Sequence, residues 1–252
     1  MAHTTKQLNT FHLFAGAGGG ILADILLGHN PIGACEIEPY PRNVLLARQA
    51  DGILPNFPIW DDVATLDGNP WRGSVDVLCG GFPCQDISAA GKGAGITGER
   101  SGLWREYARV IDEMRPKFVF AENSPLLRKR GLNVVLRDLA NLGYNARWCV
   151  LGAGDVKAPH QRKRMWIMAY DTSVQGCGLR LPIREAQDRP THGVSSENAA
   201  WDTSRGEMLA ESLIFGEGHG VANRLDRIKA IGNGQVPLCA AVAFSILSEG
   251  LI

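Results

Sequence analysis

Cys84, Glu122 and a group of arginines near residue 162 are the residues of this chain whose types and settings could do chemistry. Cys84 lies within Val-Asp-Val-Leu-Cys-Gly-Gly-Phe-Pro-Cys-Gln-Asp-Ile-Ser-Ala-Ala-Gly at 75–91. The apolar run at 75–79 has the length of a buried strand. Gly80 and Gly81 are expected to end it, and Pro83 fixes φ just before the thiol. A lone cysteine is by default a buried space-filler. Here glycines and a proline hold it at a loop apex, at the carboxyl end of a strand, where open α/β sheets place their chemistry. A thiol so placed suits nucleophilic addition, and its reactive form is the thiolate. With an ordinary pKa of about 8.5, only about 3% is ionised at pH 7, so a neighbouring cation is required.

Residues 118–121 read as an apolar strand that delivers Glu122 and Asn123 at its carboxyl end. A carboxylate there can act as a general acid, or bond to an amidine edge such as cytosine N3 and N4. The plainer alternative is a surface ion pair with Arg128 or Arg130. Two further strands, at 145–151 and 165–170, are joined by a linker containing His160, Arg162, Lys163 and Arg164. That cluster suits a phosphate or a base carbonyl; a solvated basic turn is the alternative.

Other elements must position these groups. Residues 10–15 read as a strand, followed by Gly-Ala-Gly-Gly-Gly at 16–20 and an apolar-periodic helix at 21–27 ended by Gly28. Strand, glycine turn and helix open a nucleotide-binding α/β sheet. The glycines let backbone approach a ligand, and the helix start offers free N–H groups. Alone, such a turn is equally compatible with NAD, ATP or a plain tight turn. A second strand at 31–35 ends at Glu36, about 20 residues past the glycine turn, where an acid can hold ribose hydroxyls; a capping or surface carboxylate is the alternative. A helix is expected at 39–49 and a short third strand near 57–60, with Asp61 and Asp62 after it. Four glycines at 91–98 suggest a loop that closes over substrate, or simply a surface loop. Ser101 is expected to cap a helix at 102–114, and an apolar helix closes the chain at 236–247.

The string Gly-Gly-Phe-Pro-Cys-Gln-Asp-Ile at 80–87 resembles the catalytic motif of the DNA cytosine-C5 methyltransferases. Phe-Ala-Gly-Ala-Gly-Gly at 14–19 is similar to that family's S-adenosylmethionine motif, with His12 where an acid is often found. Glu122-Asn123-Ser124 stands in place of Glu-Asn-Val, and His160 replaces the glutamine of Gln-x-Arg-x-Arg while both arginines are kept. Lys-Ala-Ile-Gly-Asn-Gly-Gln-Val-Pro at 229–237 resembles the final motif, which packs back on the cofactor site. The resemblance implies a short bacterial or phage-type member with a Rossmann-like S-adenosylmethionine-dependent methyltransferase fold: α/β, a mostly parallel sheet with helices on both faces, plus a small irregular recognition region.

The implied activity is that of a DNA (cytosine-5-)methyltransferase, acting on a flipped-out cytosine through a covalent Cys84–C6 adduct. The implied catalytic set is Cys84, Glu122, Arg164 and Arg162, the arginines supplying the cation. Phe14, Gly16, Gly18, Gly19, Glu36, Ile37, Asp62, Val63, Leu103, Asn233 and Val236 would line the S-adenosylmethionine site. Asp62 would meet the adenine amino group, with Asp61 the other choice. Pro83, Gln85, Ser88, Asn123, Arg162 and Arg164 would meet double-stranded DNA. Methylation of an RNA cytosine is the nearest rival, a catalytically weak DNA-binding relative the next. A dinucleotide-dependent oxidoreductase explains the glycine turn but not the loop cysteine.

The 252 residues fit one α/β domain with a small appendage. The expected division is a catalytic and cofactor domain at 1–170, a recognition region at 171–220 and a C-terminal segment at 221–252 packing back on the first. Net charge is zero, so DNA must be met by local patches such as Arg224, Arg227 and Lys229. Within 171–220, eight acids against four arginines leave a charge of −4. That leaves room for a restriction endonuclease partner or a second subunit to complete recognition. Six scattered cysteines without a Cys-x-x-Cys pair argue against a metal site and a disulfide framework. With no apolar run of membrane-spanning length, the expectation is a cytoplasmic protein without membrane contact.

Overall fold

The computed structural model describes residues 7–82, 102–158, 160–172, 226, 230, 232 and 234–252. Pro83, Cys84, Gln85, Ser88, the 91–98 loop, Ser101, Arg224, Arg227, Lys229, Asn233 and nearly all of the expected recognition region lie outside the described residues.

Among those described, seven strands form one sheet: β1 (Asn9–Leu13), β2 (Asn30–Cys35), β3 (Ile59–Trp60), β4 (Val77–Gly81), β5 (Phe118–Asn123), β6 (Tyr144–Leu151) and β7 (Arg164–Asp171). Their order is β3-β2-β1-β4-β5-β7-β6. β1 to β5 run parallel, and β7 lies antiparallel between β5 and β6. From β1 the chain winds outward through β2 and β3, then returns to lay β4 on the other side of β1. Crossovers diverging from this point leave a crevice at the carboxyl ends of β1 and β4. This is a Rossmann-like α/β architecture.

Helices cover both faces: α1 (Gly19–Leu27), α2 (Pro39–Ala50), α3 (Gly102–Met114), the short α4 (Leu127–Arg130), α5 (Leu132–Asn141) and α6 (Pro237–Ser248). Strand side chains alternate between faces, so the sheet divides its apolar residues into two cores. Phe11, Leu13, Leu78, Val119 and Ala121 join Tyr107, Val110 and Ile111 of α3 and Val135 and Leu139 of α5. Val77, Cys79, Phe118, Phe120 and Trp166 meet Ala23 of α1 and Ala240, Ala243 and Phe244 of α6. Phe120 stacks on Trp166 at 5.4 Å. A third, smaller cluster seats Leu45 of α2 on Ile21 and Ala34. No helix among the described residues is long and apolar enough to cross a membrane.

Two boundaries differ from the sequence expectation in ways that matter for the site. Gly80 and Gly81 do not end β4 but continue it, and Gly81 pairs with Glu122. A side chain at Gly80 would place Cβ 2.5 Å from the Leu13 carbonyl oxygen. Glycine interrupts the apolar pattern here because β1 and β4 are pressed together, not because the strand turns. β5 likewise runs on through Glu122 and Asn123, both buried.

Candidate active site

At the crevice lies a cleft lined by residues 12–16 from β1 and the turn after it, Gly20, Gly80, Gly81, Glu122, Gly234 and Gln235. Glycines make up much of its wall, and they do different work. Gly16, at φ +55, has nothing within 4 Å of where a Cβ would be, so its face is open to a ligand. Gly18, at φ +94, is the N-cap of α1, and a Cβ there would meet Leu45 at 2.9 Å. A Cβ on Gly19 would run into the carbonyl oxygen of Gln235. At Gly18 and Gly19 the missing side chain makes room for Leu45 and for Gln235, whereas at Gly16 the space is open. Phe14 holds a strained φ of 52° beside it, its ring 6.2 Å from that of Tyr107. Such strain in a non-glycine residue persists where surrounding structure enforces it.

Glu122 is 8% exposed at the cleft wall. Its Oε1 lies 2.9 Å from Arg164 Nε, where the plainer alternative had a surface pair with Arg128 or Arg130. Burial pushes its carboxyl pKa up, against the opposing pull of Arg164, of Arg162 and of a hydrogen bond from the Gln235 side chain. Arg162 donates from Nη2 to the Gly234 carbonyl at 2.5 Å, tying the basic linker to the C-terminal segment; burial lowers its pKa, with Arg164 adding to the effect. His160 and Lys163 are exposed. Asn123 is 2% exposed and donates its amide to the Phe82 carbonyl at 3.1 Å, bracing the residue before Pro83. Ser124 Oγ accepts from Leu126 N, a local turn contact ahead of α4.

On the far side of the cleft, Glu36 is 7% exposed, with Oε2 accepting from Gly16 N at 2.6 Å and Oε1 from Glu38 N at 2.8 Å. It therefore clamps the glycine turn to the entry of α2, and burial again raises its pKa. Ile37, beside it, is 61% exposed. Asp62 Oδ1 accepts from Ala64 N, capping a turn whose Val63 is buried; Asp61 holds Asp62 N. Leu103 packs at the start of α3 and Val236 just ahead of α6, both partly buried.

These residues fit an adenosyl group. A carboxylate has about four acceptor sites, so Glu36 keeps lone pairs for ribose hydroxyls beyond its two backbone bonds. Ile37 offers an exposed apolar face next to it, and Gly16 leaves space above the turn. The structure also brings in residues that sequence reasoning left without a role. Gln235 reaches the cleft from the final motif. His12 lies in the cleft floor, its Nε2 2.5 Å from Asp24 Oδ2, which also accepts from Thr10 Oγ1 at 2.5 Å. His12 drew notice only as a departure from an acid, and nothing local paired it with Asp24.

A family model described as C-5 cytosine-specific DNA methylase matches residues 8–201. The type II methyltransferase M.Eco47II of Escherichia coli is 37% identical over 166 residues, covering 62% of this chain and 38% of that protein. M.CviJI, a type II methyltransferase of Paramecium bursaria Chlorella virus IL3A, is 31% identical over 165 residues, 65% of this chain and 43% of its own length. The chain spans less than half the length of these relatives. Among solved structures, the S. pombe Dnmt2 methyltransferase superposes with a TM-score of 0.65 at 15% identity, covering 97% of this chain and 99% of that one. A putative DNA modification methyltransferase encoded within an E. coli prophage gives 0.55 at 24% identity, covering 67% of this chain and 48% of that one. At those identities the likeness is one of fold.

Proposed function

This chain belongs to the C-5 cytosine-specific DNA methylase family, and from that premise we propose that it methylates C5 of a cytosine in double-stranded DNA. The observation that carries the reading is Glu122, a buried carboxylate at the end of β5, gripped by Arg164 beside the glycine-walled cleft. It stands one strand over from the strand that leads into Pro83-Cys84.

Cytosine C5 is too weak a nucleophile to take a methyl group unaided. The Cys84 thiolate adds at C6, which pushes electron density onto C5. Glu122 faces N3, where the displaced charge gathers. Burial keeps its proton to higher pH than an ordinary carboxyl, which suits hydrogen-bond donation to that nitrogen. Arg164, paired with one carboxyl oxygen, limits the shift. Gly16 and Glu36 would hold S-adenosylmethionine at the glycine turn and at its ribose, and when bound it would supply a methyl group activated by a sulfonium. C5 takes that methyl group, the C5 proton leaves to a base, and the electron pair released breaks the C6–S bond and frees Cys84. The base must leave the stack to reach these groups, at a cost of a few kcal/mol. Arg162 and Arg164, with the exposed Lys163, supply positive charge on this side for the DNA backbone.

Incubation of the protein with S-adenosylmethionine and DNA, digestion to nucleosides and mass spectrometry tests the reading. The expected product is 5-methylcytosine, and it should vanish in Cys84→Ala while cofactor affinity stays within about tenfold, because the nucleophile is not part of the cofactor cradle. Undiminished methylation by Cys84→Ala, or a methyl group on another atom, would refute it.

A further inference from the structure

Residues 234 and 235 touch three parts of the site at once. The Gly234 carbonyl accepts from Arg162 Nη2. The Gln235 backbone carbonyl lies against Gly19 at the start of α1. The Gln235 side chain spans the cleft floor: its Nε2 is 3.3 Å from where a Cβ on Gly81 would be, beside Glu122 Oε2 at 2.5 Å from the same point, and it hydrogen-bonds to the Glu122 carboxyl.

The other end of that amide lies on the His12 side of the cleft. Gln235 Oε1 is 2.6 Å from the Cβ position of Gly20, where His12 Nδ1 stands at 3.2 Å. The imidazole cannot yield, because its Nε2 is held by Asp24 and Asp24 is held in turn by Thr10. Thr10, His12 and Asp24 are all at most 4% exposed. Missing side chains at Gly20 and Gly81 make the slot that the glutamine fills. A residue from the last motif thus lies between a rigid buried triad and the carboxyl that faces the substrate.

We propose that Gln235 is a positioning residue for Glu122: its amide N–H donates to the carboxyl, opposite Arg164, and sets the orientation in which Glu122 meets the base. This rests on the assignment of Glu122 to the reaction. Two donors on different sides define the plane of a carboxyl, where Arg164 alone would leave it free to turn about Cγ–Cδ. The seating on Gly19 and Gly20 also links the cofactor turn to Glu122, so the same short segment sets both halves of the site.

The test is a titration of the Glu122 carboxyl by ¹³C NMR in protein labelled at glutamate Cδ, its resonance assigned by its loss in Glu122→Gln. A donor to the carboxylate favours the ionised form. Gln235→Met, similar in shape but without the donor, should therefore raise the Glu122 pKa by about one unit. It should lower kcat by about tenfold, with KM for S-adenosylmethionine within about twofold. Gln235→Glu, of the same length, replaces the donor by an acceptor and should push the titration higher still, whether or not Gln235→Met folds. A purely structural role would lower the melting temperature and leave the titration where it is. A Glu122 titration unmoved in these variants overturns the proposal alone. Undiminished turnover by Glu122→Gln would remove the catalytic role of the carboxyl, and the proposal with it.

Discussion

Gly19→Ala adds one methyl group, and the structure gives it nowhere to go. The new Cβ would meet the Gln235 carbonyl oxygen, with the carbonyl carbon at 3.0 Å and the backbone nitrogen at 3.3 Å. All three atoms are main chain, so no side-chain rotation relieves the overlap and residues 234–236 must move off α1. Overpacking of this kind costs about 1–3 kcal/mol. Alanine in a helix recovers up to about 1 kcal/mol relative to glycine, less at this first position. The net expectation is a loss of about 1–2 kcal/mol. Turnover should fall with it, because the displaced segment carries the Gly234 contact to Arg162 and the Gln235 contact to Glu122. Gly16→Ala is the control. Its Cβ meets nothing within 4 Å, but φ of +55° makes an alanine there unfavourable by about 1–2 kcal/mol. The two variants should lose similar stability in urea denaturation. They should part in calorimetric titration, where Gly16→Ala, with its methyl group in the cleft, weakens S-adenosylmethionine binding more. A Gly19→Ala protein as stable as wild type would show that residues 234–236 do not lie against α1 as described.

Because folded Glu122 holds its proton above the ordinary carboxyl value of 4.5, the native state binds more protons than the unfolded chain over that interval. Its contribution to stability is fully present below about pH 4.5 and is lost as pH rises through the folded value. Glu122→Gln does not titrate, so urea midpoints from pH 4 to 8 should show the variant gaining on wild type as pH rises; a gap moving the other way would contradict the burial argument. His12→Leu strips Asp24 of one of its two buried partners and should cost about 1–3 kcal/mol in the same assay, whereas an unchanged midpoint would mean that the triad is not a stabilising network. Residues 171–220, at a net charge of −4, can hold few of the bidentate base contacts that contribute about 1–3 kcal/mol each. Purified protein alone is therefore expected to methylate a short or degenerate target, about two to four base pairs, with strongly salt-dependent binding. A strict site of six or more, mapped at base resolution, would overturn that charge argument.

Much of this molecule could be read along the chain, and the reason is locality. An apolar run, a glycine turn and a 3.6-residue period are properties of a dozen neighbouring residues. They placed α3 at its observed limits, put Glu36 and Glu122 at strand ends, and fixed the order of strands and helices from which a Rossmann-like sheet follows. The cysteine motif at 80–87 can be picked out for the same reason: its residues are contiguous. What the chain order could not disclose is which distant segments press together. Gly80 and Gly81 read as a strand stop, yet they extend β4, because only the assembled sheet shows Leu13 and Glu122 occupying the space where their side chains would be. At Gly19 the atom that forbids a Cβ belongs to Gln235, at the other end of the chain, a contact that no local pattern discloses. For Glu122 a surface pair with Arg128 or Arg130 is the plainer alternative that local sequence offers, but the antiparallel pairing of β5 and β7 delivers Arg164 to it. His12 and Asp24 carry no shared pattern at all. They meet because β1 and α1 pack face to face, and a buried carboxylate must take whatever donors that packing brings within reach.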